Sequence, residues 1–305
     1  MSDIILYHYA LSPFSEKIRA MLGYAGMRWE SVIVPEMPPR PQLNRLAGGY
    51  RRVPVGQIGA DIFCDSRTIA AEIARISGKA NLALENCDYE VQGFSDRLDS
   101  EFFLACFGSA LGKSLIKKLL KTLSLLDFGR FMWDRINMGR KSSLQQMSGK
   151  QANALAREHL ERMERMLEGD FLFGDQPNIA DFSAYHGLWF IQDVAEVSFI
   201  RNYPSVIAWM ERIKAFGHGM RTEISAERAI DIATGQEARP LATDNQDEEL
   251  IGQSVSISPS DYGKDPVKGV LVANLAYSWI LQRRVKGSSA VHVHFPKQGF
   301  ALERN

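Results

Sequence analysis

The chain is 305 residues long, a length that suits about two domains with real cores. Its 36 basic and 36 acidic side chains cancel to a formal net charge of zero, so no global field draws it to nucleic acid or to an anionic membrane. Three cysteines, Cys64, Cys87 and Cys106, are an odd number without a Cys-x-x-Cys pair, which argues against a disulfide framework or a zinc knuckle and fits a reducing compartment. Met1-Ser2-Asp3 leads into an apolar run without a basic segment before it, and no stretch approaches ~20 uninterrupted apolar residues, so a soluble, cytoplasmic protein is expected.

Ile4 to Tyr9 is short, β-branched and aromatic, and reads as a buried strand. It stops at Ser12-Pro13, where Ser12 is the natural N-cap of a helix and Pro13 takes the first helical position, its missing N–H costing nothing there. Ile18, Met21 and Leu22 recur at helical spacing, with the helix ending near Gly23 to Gly26. Trp29 to Val34 is a second strand, parallel to the first if the helix is a crossover. The proline-rich run from Pro35 to Gly49 carries no period and reads as a loop with one helical turn. Val53 to Ile58 and Asp61 to Phe63 are short strands around Gly59-Ala60, a hairpin by position. Ser66 to Ile76 is then a helix with Ile69, Ala70, Ile73 and Ala74 on one face. The order βαβ then ββα is that of a thioredoxin-like domain, placed at residues 1–80.

From Tyr89 the pattern is helical, and residues 88–217 are expected to form an all-α domain. Candidate helices are Tyr89 to Leu111, Leu115 to Gly139, Gln145 to Leu167, Ile179 to Val194 and Pro204 to Phe216. Asn178 followed by Asp181 fits a polar cap with an acid in the first turn. Residues 218–249 read as a linker, with Thr243-Asp244-Asn245-Gln246-Asp247-Glu248-Glu249 as its most polar part. Beyond it the period changes to two, and Val255/Ile257, Gly269 to Val272, Trp279 to Leu281 and Val291 to Phe295 suggest a small antiparallel β unit over residues 250–305.

Three motifs carry chemistry: Ser12-Pro13-Phe14-Ser15-x-Lys17-Ile18-Arg19, Val53-Pro54-Val55 and Asp65-Ser66. With them, residues 1 to about 217 resemble a cytosolic glutathione S-transferase of the serine type, similar to the tau and omega groups at the first motif. The fold class this implies is an α/β thioredoxin-like N-terminal domain plus an all-α C-terminal domain, followed here by the β unit. The activity implied is transfer of the thiol of reduced glutathione, the co-substrate, to an electrophilic small molecule, in a cytoplasmic, detoxifying homodimer.

The resemblance assigns roles residue by residue. Ser12 would donate a hydrogen bond to the thiolate, and Ser15, one turn along, is the second candidate. Phe14, Arg52, Val53, Pro54, Asp65 and Ser66 would bind glutathione. Pro54 would follow a cis peptide bond that leaves the Val53 main chain to pair antiparallel with the tripeptide. Ser66 and the helix amides would take the γ-glutamyl carboxylate, and Asp65 the ammonium. Relatives mostly carry a longer acid or amide at that place. Arg51, Arg52 or Arg40 would stand near the glycyl carboxylate. Phe102, Phe103 and Phe107, with Trp133, would line the second-substrate pocket.

Ser12 read without its companions is a plain helix cap, and Tyr7 or Tyr9 is the minor alternative as a phenol donor. His292-x-His294 puts two imidazoles on one strand face, but two ligands are not a metal site, and completion by Asp261 or His218 has no support in the sequence, so no metal is expected. Cys64 reads as a buried strand-end residue. The rival reading is a non-catalytic scaffold that uses its β unit to hold a partner or ligand.

Overall fold

The chain was analysed as a computed structural model that describes residues 4–140, 142, 147–241, 245–246, 249–285 and 290–305. Its N-terminal part follows the expected order, with a seven-residue helix, α2, where a loop with one helical turn was expected: β1 (Ile4–His8), α1 (Pro13–Tyr24), β2 (Arg28–Ile33), α2 (Pro41–Ala47), β3 (Val55–Ile58), β4 (Asp61–Cys64) and α3 (Ser66–Ser77). β1 is parallel to β2 and antiparallel to β3, and β3 is antiparallel to β4. Every residue of β1 is buried, because alternate side chains enter two different cores. Ile4 and Leu6 pack with α1, α3 and the helical domain, whereas Ile5 and Tyr7 pack with α2 and with residues near the C-terminus.

The helical part contains α4 (Tyr89–Arg97), α5 (Phe103–Ala110), α6 (Lys113–Thr122), α7 (Leu125–Arg140), α8 (Gly149–Met166), α9 (Ile179–Trp189) and α10 (Pro204–Ala215). The expected helix from Tyr89 to Leu111 is continuous, but a π turn at Leu98–Phe102 interrupts its pitch, and a second π turn, Phe190–Val194, extends α9. Residues 115–139 divide into α6 and α7 near Leu123 and Ser124. Gln145 lies outside the described residues. At α9 the expected cap is present: the Asn178 side chain accepts from Ala180 N at 2.8 Å, and Asp181 accepts from Asn178 N at 2.9 Å. Asp181 also accepts from Leu172 N and from the Trp209 indole, tying α10 to the start of α9.

The segment 218–249 differs from a linker. It holds β5 (Met220–Glu223), which pairs parallel with β2, and α11 (Ala226–Thr234), whose Ala229 carbonyl accepts from Gln57 Nε2 at 2.8 Å. β5 has no readable period because all four of its residues are exposed and three of them are polar. Of the acidic stretch, Thr243, Asp244, Asp247 and Glu248 lie outside the described residues.

The C-terminal unit has β6 (Ser254–Pro259), β7 (Val267–Asn274), β8 (Ser278–Arg284), β9 (Ala290–Pro296) and β10 (Phe300–Arg304), antiparallel among themselves. It is not a separate layer. β9 lies parallel to β4 with Asp61 opposite His292 and Phe63 opposite His294, giving one ten-stranded sheet in the order β10-β6-β7-β8-β9-β4-β3-β1-β2-β5. Val255, Leu271, Val291, Val293 and Phe295 share the core of Ile5, Tyr7, Val55 and Ile62. At the seam Asp61, buried, accepts from His294 Nε2 at 2.7 Å and from Arg239 N at 2.9 Å, while the His294 ring stacks on Phe63. Burial alone would raise the Asp61 carboxyl, but the hydrogen bonds from His294 and Arg239 hold it below the usual range. No helix among the described residues is long and apolar enough to cross a membrane.

Two buried polar clusters join α1 to its surroundings. Lys17 Nζ donates to both Asp99 oxygens at 2.9 and 2.7 Å and to Ser183 Oγ at 2.8 Å, so the π turn that carries Asp99 and the start of α9 meet on one ammonium. His186 lies beside them, its Nδ1 3.3 Å from the Phe182 carbonyl. In the second cluster Arg19 donates to Glu16 and, at 3.0 Å, to His8 Nδ1, so His8 carries its proton on Nε2 and gives it to Ser31 Oγ. Glu16 also pairs with His218 at 2.9 Å.

Two outcomes are expected. Asp61→Ala removes the acceptor at the β4–β9 seam and leaves His294 and the Arg239 amide without it, costing about 2–4 kcal/mol in urea unfolding; a loss below about 0.5 kcal/mol would mean that strand pairing alone holds the seam. Burial, with Arg19 second, pushes His8 down to about 3, and burial pushes His186 down to about 4 against the pull of Asp99. Below the ordinary histidine value of about 6.5 the unfolded chain takes up protons that the folded chain refuses, so stability falls as pH drops from about 6.5 towards 4. Urea midpoints at pH 7.5, 6 and 5 check this, and His186→Phe, which keeps a ring in place, is expected to show a shallower decline.

Candidate functional site

Tyr7 is opposite Val55, and Val55 is opposite Cys64, so three neighbouring strands end in register. The chain just beyond that row carries Ser12, the Val53-Pro54 pair and Asp65-Ser66. The strand order therefore gathers at one end of the sheet three motifs that are far apart in sequence, together with the N-termini of α1 and α3.

Ser12 is buried and caps α1, its Oγ accepting from Ser15 N at 3.3 Å. A hydroxyl that accepts at a cap keeps its proton, so Ser12 can still donate outward from the positive end of a twelve-residue helix. Ser15 is fully buried, and its Oγ has no hydrogen-bond partner among the described residues. The Val53–Pro54 bond is cis, and Val53 is half-buried. Asp65 caps α3 by accepting from Arg67 N at 3.1 Å, and it sits at φ 82°, ψ 146°, a conformation that L residues rarely adopt. Such backbone persists where the surroundings hold it, commonly at ligand sites. Ser66, buried, is the first residue of α3.

The basic residues near the site have protein partners. Arg40 is buried and structural: its Nε donates to the Pro35 carbonyl at 2.8 Å and its Nη1 to the Arg51 carbonyl at 2.6 Å. Arg51 pairs with Asp134 of α7 and lies 3.8 Å from Asp265. Arg52 is taken by the loop between β6 and β7: its Nη2 donates to the Asp261 carboxylate and to the Tyr262 carbonyl, and its guanidinium lies 3.9 Å from the centre of the Tyr262 ring. Asp261, considered as a metal ligand, is instead an arginine partner.

The aromatic residues separate. Phe14 reaches the helical domain, with ring centres 4.7 Å from Phe103 and 4.6 Å from His186; Phe103 continues to Phe107 and Phe107 to Phe190. Phe102 points elsewhere and is core, fully buried against His159, as neighbours on a helix point about 100° apart. Trp133 is 70% exposed on α7. Tyr7 is fully buried and donates to Gln57 Oε1 at 2.5 Å, which removes it as a thiolate donor. Burial pushes the Cys64 thiol well up, consistent with an inert strand-end residue. His292 and His294 belong to the β4–β9 seam, and no group of three or more candidate metal ligands lies together among the described residues.

The start of α3 brings together the Asp65 carboxylate, the Ser66 hydroxyl and the helix amides, and the start of α1 offers the Ser12 hydroxyl. Arg52 is already paired. Sequence reasoning missed Asp134 and Tyr262 as neighbours of the site. No local signal marks them, since they stand 83 and 210 residues from their arginine partners.

The family signature described as "Glutathione S-transferase, N-terminal domain" matches residues 6–80, and "Glutathione S-transferase, C-terminal domain" matches residues 146–212. Curated proteins yield no match. Among solved structures, a GST-like protein from Pseudomonas syringae is 33% identical over 100% of both chains, with a TM-score of 0.79, so the likeness includes the C-terminal β unit. Glutathione S-transferases from Sinorhizobium meliloti 1021 and Rhodospirillum rubrum F11 are each 19% identical over 70% of this chain, covering 89% and 88% of their own, both with a TM-score of 0.51, a likeness of fold. By 33% identity over its full length with a GST-like protein and by both domain signatures, the chain belongs to the cytosolic glutathione S-transferase superfamily.

Proposed function

We propose that the protein is a serine-type glutathione transferase that binds reduced glutathione, stabilises its thiolate and conjugates it to an electrophilic small molecule. The observation that carries this is the convergence of Ser12, cis-Pro54 and Asp65-Ser66 beyond the in-register row Tyr7, Val55 and Cys64. A homodimer and a cytoplasmic detoxifying role are part of the proposal and rest on the family.

The thiol of the co-substrate must ionise near neutral pH, although an unperturbed thiol has a pKa of about 8.5. Ser12 Oγ–H donates to the anion, and the positive end of α1 adds to it, each pKa unit corresponding to about 1.4 kcal/mol of preference for the charged form. Ser12 does not attack. The sulfur attacks the electrophile, a carbon–sulfur bond forms, and the leaving group departs with its electron pair. Phe14, Phe103 and Phe107 offer an apolar surface between the two domains for the second substrate. Ser15, fully buried in the first turn of α1, supports Ser12 without displacing it from the donor role.

Under either reading, enzyme or non-catalytic scaffold, the β unit is part of the sheet and reaches Arg52. The test uses Ser12→Ala and Ser12→Asn with a chromogenic haloarene and retention on immobilised glutathione. Asparagine keeps a good helix cap but lacks the hydroxyl, whereas alanine also removes the cap, at about 1 kcal/mol of stability. Both variants are expected to lose at least about tenfold in kcat/KM and to raise the bound thiol pKa by about one unit, with retention kept. Retention without Ser12-dependent turnover across several electrophiles would leave the scaffold as the better description.

A further inference from the structure

Arg52 is the residue from which the C-terminal unit acts on the site, and the glutathione reading above gives that contact a consequence. A tripeptide paired antiparallel with Val53 runs opposite to the chain direction. Its γ-glutamyl end then lies on the Pro54 side, towards Asp65-Ser66, and its third residue lies beside Arg52. A free terminal carboxylate there would need a cation. Arg52 already donates to the Asp261 carboxylate and the Tyr262 carbonyl, under the Tyr262 ring at 3.9 Å and near Phe300 at 5.9 Å. Arg51 is paired with Asp134 and lies 3.8 Å from Asp265. Arg40 donates to the Pro35 and Arg51 carbonyls, and Arg135 donates to the Glu36 carbonyl at 2.9 Å. Lys264, in the same loop, is exposed, where an ion pair contributes little.

The contact is built. The loop is anchored at both ends by β6 and β7 of the continuous sheet, and it turns at Gly263, whose φ of +58° a side chain would resist. A Cβ on Gly263 would meet the Arg51 side chain at 3.5 Å, so the loop backbone lies directly on the two arginines. The Arg52 side chain is 14% exposed and that of Asp261 34%, so an incoming carboxylate meets a guanidinium whose charge Asp261 already balances, with Nη2 engaged and Nε buried without a hydrogen-bond partner among the described residues.

We propose that Asp261 occupies the place of a thiol peptide's terminal carboxylate on Arg52, making the site selective for glutathione-type peptides whose glycyl carboxylate is masked as an amide or ester. A masked end asks for no cation, leaves the Asp261–Arg52 pair intact, and lies against the Tyr262 ring. Tyr262 is thus a contact residue for the masked group and Asp261 is the specificity determinant.

Isothermal titration of the full-length wild type and Asp261→Asn with reduced glutathione and with its glycyl monoethyl ester tests this. The wild type is expected to bind the ester at least about fivefold more tightly; Asp261→Asn tightens free glutathione about tenfold and changes the ester by less than about twofold, which inverts the order. Asp261→Glu keeps the charge and is expected to keep the wild-type order, which separates loss of the carboxylate from damage to the loop. A wild type that binds glutathione as tightly as the ester, or an Asn variant with an unchanged ratio, overturns the proposal and leaves the glutathione reading standing. Binding of neither peptide to either protein removes both.

Discussion

The parallel pairing of β9 on β4 is the constraint on which the rest of the molecule depends. An open sheet edge exposes a row of unpaired N–H and C=O groups, and β9 covers that of β4 with the chain's own C-terminal unit. The pairing has three results. It gives Asp61, buried at the edge, the imidazole of His294 as a donor. It extends the second core, so that Ile5, Tyr7 and Ile62 pack with Val291, Val293 and Phe295. It also sets the distance from β9 through β8 and β7 to the loop that holds Arg52. A unit joined by a flexible tether could not hold a carboxylate on that guanidinium.

The polar groups near the site divide into those that hold the frame and those left for a ligand. Lys17, Asp99 and Ser183 satisfy one another across the domain boundary, as do Arg19, Glu16, His8 and His218 on the other side of α1. Buried charges persist in a low-dielectric interior only when paired in this way, and here the pairing fixes α1 against α9 and the π turn. Ser12 caps the start of that fixed helix. The start of α3 repeats the pattern, with Asp65 as its cap and Ser66 at the first turn. The N-termini of both helices stand at the same end of the sheet.

The thioredoxin-like half was legible because its signals are local. Ser12-Pro13 marks a helix start through the cap and the missing N–H of proline, and β1 announces itself by a run of β-branched and aromatic residues buried on both faces. Asn178 and Asp181 likewise act within one turn. The π turn at Leu98–Phe102 was not legible, since nothing in Leu-Asp-Ser-Glu-Phe distinguishes it from an α turn, and which of Phe102 and Phe103 is core depends on how the helix packs, with Phe103 meeting Phe14 and Phe102 buried. β5 was hidden because an exposed, mostly polar strand has no period to read. Arg52 looked like a free cation because its partner is more than two hundred residues away.

By itself the sequence determined the strands and the main helices of the thioredoxin-like half, the caps at Ser12 and Asn178 and the three motifs, because helix starts, strand alternation and turn residues depend on neighbours within a few positions. Only the tertiary structure decided that the motifs share one strand end, that the C-terminal unit belongs to the same sheet, and which charges remain available to a ligand. Strand register and ion pairing join residues distant along the chain, and the physical reason they are settled late is that burial of the paired groups, absent from any local window, supplies the free energy that selects one partner over another.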